Sequence, residues 1–126
     1  MASGGAAGSV LRYLVTGLAQ RLSVAGGIAP EAFPAGTLVV NVTGSFLIGL
    51  LMGLAESRAL LGAEARLLLV TGLLGGYTTF SAFSLETLVL FRAGQAGTAI
   101  SSVLLQVLLG VAAAFAGFTA GMTTRP

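Results

Sequence analysis

Cysteine, histidine, tryptophan, lysine and aspartate are all missing from the 126 residues. Without cysteine there is no disulfide, no thiol nucleophile and no thiolate metal ligand. Without histidine the commonest general base is gone as well. Charge is scarce: six Arg and four Glu amount to 8% of the chain, where soluble domains carry about 25%. So few charged side chains do not cover a soluble globule of this size, which argues against a soluble enzyme. The balance is slightly basic, but scattered arginines form no patch, so no nucleic-acid partner is expected.

What is abundant is apolar: 56% of residues are hydrophobic and 19 are glycine. Crossing a bilayer as a helix takes about 20 mostly apolar residues. Four stretches meet that length, at about 4–22, 36–55, 65–91 and 96–122, and together they make residues 1–126 one four-helix transmembrane domain. The breaks between them hold turn and charge chemistry: Gly26, Gly27, Pro30, Glu31 and Pro34 in the first, Glu56, Arg58, Gly62 and Glu64 in the second, Arg92 to Gly97 in the third. The first stretch lacks a basic leader and carries Arg12 in its middle, unlike a cleaved signal peptide. Helices are expected because a spanning backbone must satisfy its own hydrogen bonds. Arg58, Arg66 and Arg125 lie on the side of the termini, against Arg21 and Arg92 on the other. That near-balance gives topology almost no bias. Insertion in both orientations would let two copies pair antiparallel. Gly49 and Gly53, like Gly117 and Gly121, are four apart and suit close helix contacts.

Polar residues within apolar spans are read first as functional. Arg12 and Glu86 are the ionisable ones. Thr37, Asn41 and Ser45 recur every four residues along one helical face, as do Thr98, Ser102 and Gln106, followed by Gly110. The third stretch contains Gly75-Gly76-Tyr77-Thr78-Thr79-Phe80-Ser81-Ala82-Phe83. A glycine pair followed by consecutive threonines is poor helix material and predicts a break near the middle of that span. A break frees carbonyls suited to a hard cation, and N–H groups and hydroxyls suited to an anion. Phe80 and Phe83 stand beside it, and ring edges carry positive potential.

Three runs, Gly4 to Tyr13, Gly36 to Phe46 and Gly75 to Phe83, resemble in order the motifs of the Fluc (CrcB) fluoride channels, and the four-span layout covers essentially the whole chain. The resemblance implies an all-α, multi-pass protein of the microbial inner or plasma membrane, assembled as an antiparallel dual-topology homodimer. Fluoride would leak out through two pores, lowering its toxicity, around a central structural Na+. It implies that Gly75 and Thr78 offer backbone carbonyls to that sodium, that Phe80 and Phe83 line the pores, that Asn41 stands at the polar entrance and Arg12 at a vestibule. Thr79, Ser81, Glu86 and Ser102 join the expected pore set, with Ser102 and Gln106 on the fourth-span stripe.

Two other readings use the same features. A small multidrug exporter is also a four-span dual-topology dimer, but it needs a carboxylate in the first span, where this chain has Arg12. A non-conducting assembly subunit would use the polar groups only for packing and would tolerate Asn41→Ala and Phe80→Leu. An intramembrane enzyme lacks its His, Asp, Cys and Lys.

Overall fold

The computed structural model describes residues 1–28, 33–58 and 61–123. Pro30, Glu31 and Arg125 of the expected connections lie outside them. Every regular element described is helical: α1 (Ala2–Ala25), α2 (Ala35–Arg58), α3 (Ala63–Arg66), a π-helical segment (Leu67–Leu74), α4 (Gly75–Tyr77), α5 (Phe80–Arg92) and α6 (Ala96–Thr123). Elements α3 to α5 form one interrupted rod.

By length and apolar character three of these stretches can cross a membrane: Ala35–Ser57, Ala63–Arg92 and Ala96–Thr123. The sequence predicts four. With 24 residues α1 is long enough at ~1.5 Å per residue, but Arg12, Arg21 and its many Gly, Ala and Ser residues leave it less apolar. The protein is thus a multi-pass membrane protein with three apolar helices and a fourth, more polar one. Its outer surface agrees: Leu104, Leu108, Val111 and Phe115 stand exposed along one stripe of α6. Lipid or another protein surface, rather than water, suits such a stripe.

Glycine sets how closely the helices approach. A Cβ on Gly117 would run into the Phe46 carbonyl, and one on Gly121 into the Leu50 carbonyl; reciprocally, Gly49 faces the Ala114 carbonyl and Gly53 that of Phe118. The two small-residue pairs therefore interlock backbone to backbone between α2 and α6. On the other side Gly4 and Gly8 of α1 seat against the carbonyls of Leu68 and Leu73 in the π-helical segment. Val40, Leu74 and Tyr77 form the small buried core, with Val15 and Leu51 packed against it. The Tyr77 hydroxyl, buried there, finds Thr43 Oγ1 at 2.8 Å.

The expected break is present, at Thr78 and Thr79. Both are extended, with ψ 159° at Thr78 and φ −151°, ψ 115° at Thr79. The two threonines close the helices on either side. Thr78 returns both its N–H and its hydroxyl to the Leu74 carbonyl, at 2.9 and 3.0 Å. Thr79 caps α5, its Oγ1 accepting from the Ala82 nitrogen at 3.2 Å. Helix α5 ends at Arg92 and is followed by Gly94, whose φ of +75° lets the Gln95 N–H turn back to the Leu90 carbonyl at 2.9 Å. That tight turn feeds directly into α6.

Candidate functional site

The break leaves the Thr79 N–H without a helical acceptor, and a side chain from α2 supplies one. Asn41 Oδ1 accepts from the Thr79 nitrogen at 2.9 Å, while Asn41 Nδ2 donates to the Thr79 carbonyl at 3.1 Å. Asn41 Nδ2 also donates to Gln106 Oε1 on α6 at 2.8 Å. Three elements distant in sequence thus meet at one carboxamide. Gln106 is buried, and its Nε2 has no partner among the described residues. Ser102, one turn earlier on the same face of α6, is buried too.

Two recesses flank the break, and Thr79 lines both. The first is bounded by Asn41, Gly44, Ser45, Gly75, Thr78 and Phe80 among others. Gly44 keeps this wall thin, since a Cβ there would strike the Thr78 methyl. The second recess is lined by Arg12, Tyr13, Arg21, Thr37, Ala82 and Glu86 among others. Glu86 accepts from the Thr37 hydroxyl at 2.6 Å through Oε1, and its Oε2 is buried without a partner among the described residues. Its partner is thus a hydroxyl rather than an arginine.

The expected site residues accordingly divide. Asn41, Thr79 and Gln106 are joined directly, Thr37 and Glu86 form a second pair, and Arg12 reaches the break by donating from Nη1 to the Thr78 carbonyl at 3.3 Å. Thr79 Oγ1 and Ser81 Oγ are 3.3 Å apart. Phe80 and Phe83 lie ring to ring, centroids 5.4 Å apart and tilted by 46°. Phe80 is 79% exposed in the single chain, and its ring borders the first recess. Gly75 belongs to the first recess only, away from Glu86. The Gly75 carbonyl has lost its usual helical donor, because the Thr79 N–H that would serve it is held by Asn41. Sequence reasoning placed Thr37 on a polar stripe but not against Glu86. A separation of 49 residues gives no local signal for that contact.

The arrangement presents N–H groups, hydroxyls and an aromatic pair beside an interrupted helix. Among the described residues no cluster of acidic side chains could hold a metal.

Residues 1–118 match the family described as CrcB-like protein, Camphor Resistance (CrcB). A relative from Agrobacterium fabrum named "Fluoride-specific ion channel FluC" is 49% identical over 121 residues, 96% of this chain and 92% of that protein. Proteins of the same name from Rhizobium etli (50% over 117 residues, 93% and 89%) and Thermus thermophilus (47% over 121 residues, 96% and 91%) are similarly close.

Proposed function

The chain belongs to the CrcB family, and from that membership we propose that it is a fluoride-selective ion channel, not an enzyme, that lets the anion leave the cell passively through the inner membrane. The observation that carries the reading is the Asn41–Thr79–Gln106 junction: a break in a membrane helix stabilised by one carboxamide, with a buried N–H2 group left over. Fluoride is small, strongly hydrated and only accepts hydrogen bonds. A pathway for it must replace water with donors at each step, yet hold none so tightly that the ion stays. Amide N–H groups, hydroxyls and ring edges meet both conditions.

In this reading the Thr79 and Ser102 hydroxyls donate along the path, Asn41 borders it while both its N–H groups hold the break and Gln106, Ser81 stands at its margin, and Phe80 and Phe83 present ring edges. Arg12 supplies positive potential at the second recess, where Glu86 also orders the Thr37 hydroxyl. The exposure of Phe80 and of the first recess in a single chain supports a second copy completing the channel. An antiparallel dual-topology homodimer of four-span chains, with two pores, satisfies the near-even distribution of arginines. A central Na+ fits the break: Gly75 contributes a carbonyl relieved of its helical donor, and Thr78 a carbonyl with one bond from Arg12 and a second lone pair. Two copies would supply four such hard oxygens. The cation, when bound, would hold the copies together and add a fixed positive charge near the anion.

The experiment is a reversal-potential measurement in planar bilayers with fluoride on one side and chloride on the other. A potential set by fluoride alone supports the proposal, and one set equally by both anions overturns selectivity. Topology is tested separately by Gly62→Cys, in a chain with no native cysteine. An impermeant maleimide labels about half the molecules in intact cells if insertion is dual, and all or none if it is not.

A further inference from the structure

Hydrogen-bond direction is dictated along the junction between the break, α2 and α6. A backbone nitrogen can only donate, so the Thr79 N–H at 2.9 Å fixes which end of the Asn41 carboxamide is oxygen. Inverting Asn41 would set donor against donor and carbonyl against carbonyl at Thr79. The Asn41 nitrogen is thereby committed to donating, at 3.1 Å to the Thr79 carbonyl and at 2.8 Å to Gln106. Gln106 must answer with its oxygen. Its nitrogen is left over, carrying two N–H groups with no partner among the described residues, in a side chain only 8% exposed. Leaving a buried donor unmet is costly, so an acceptor completes it.

We infer that Gln106 Nε2 is a fluoride-coordinating donor whose polarity is locked, through Asn41, by the Thr79 backbone N–H. The inference rests on the channel reading above and deepens it. The buried Ser102 precedes Gln106 by one turn, so the two form consecutive polar positions on one face of α6. A hydroxyl at either position rotates to donate or accept. The locked amide does not: it offers N–H groups to an anion, while its oxygen is turned to Asn41.

The chain has one asparagine and three glutamines, Gln20, Gln95 and Gln106, so its nitrogen-15 side-chain amide spectrum is small enough to assign. Native protein in nanodiscs is titrated with sodium fluoride and, at matched ionic strength, with sodium chloride. The Gln106 amide protons are expected to shift saturably with fluoride and not with chloride, while Gln20 and Gln95 stay put. In liposomes, Gln106→Glu keeps the oxygen that accepts from Asn41 and replaces only the donor end with an acceptor; fluoride release should fall by about 100-fold. A Gln106 signal that ignores fluoride means water is the acceptor there and overturns the inference. So does a folded Gln106→Glu dimer that releases fluoride within about twofold of the native rate. Failure of the channel reading looks different, because native liposomes would then release no fluoride at all.

Discussion

The Asn41 side chain and the Thr79 backbone are paired as neighbouring strands of a sheet are paired, one N–H and one C=O exchanged in each direction at 2.9 and 3.1 Å. Non-helical backbone at membrane depth is tolerated only where its polar groups are answered. Asn41 answers both at Thr79, and the third bond, to Gln106, ties the break to α6. The break is therefore a built feature whose geometry depends on one side chain.

Removing that side chain tests the dependence. Asn41→Ala leaves the Thr79 N–H and Gln106 Oε1 unanswered, and should destabilise the protein by roughly 2–4 kcal/mol at about 1–3 kcal/mol per unmet group, with partial relief from water. Thermal unfolding in detergent reads the loss, and fluoride release should fall with it. A variant with native stability and native flux would show that the pairing is incidental.

The interlocked glycines make a paired prediction. Gly117→Ala places a methyl against the Phe46 carbonyl and should force α2 and α6 apart, at a cost of about 1–3 kcal/mol. Gly97→Ala lies in the first turn of α6 with open space around it and should stabilise by about 0.5–1 kcal/mol. Opposite signs from the same substitution, read as shifts in melting temperature, check that packing rather than helix propensity governs this interface.

Thr37 and Glu86 form the second polar pair. Thr37→Val keeps the shape but removes the hydroxyl that donates to Glu86 at 2.6 Å, so it should lower fluoride release by about tenfold, the equivalent of one hydrogen bond of ~1.4 kcal/mol. Thr37→Ser should restore most of it. Equal loss in both would assign Thr37 a packing role instead.

Sodium dependence is read without mutation. Purification with a large organic cation in place of sodium should lower the melting temperature of the protein, and adding sodium back should restore it in proportion to occupancy. A melting temperature indifferent to sodium would contradict a structural cation held by Gly75 and Thr78.

Much of this was legible in the sequence for local reasons. The break follows from Gly75-Gly76 and the consecutive threonines, and it falls at Thr78 and Thr79. The glycine pairs at 49/53 and 117/121 pointed to close helix contacts, although spacing alone did not say that they face each other. The π-helical segment had no signature, because Leu67 to Val70 is a featureless apolar run on which glycines from α1 impose their fit. Contacts such as Thr37 to Glu86 and Asn41 to Gln106, separated by 49 and 65 residues, depend on helix packing that periodicity does not encode. The polar character of α1 shows a further limit: length and low charge suggested a span as apolar as the others, while its Arg, Gly, Ala and Ser content makes it less so.

The most direct test of the account is anion release from liposomes containing the purified native protein, read with fluoride- and chloride-selective electrodes. Rapid fluoride release that requires valinomycin to balance charge, with no chloride release, is the predicted result. A folded protein whose liposomes release no more fluoride than empty ones would contradict the account and leave the polar junction with a packing role alone.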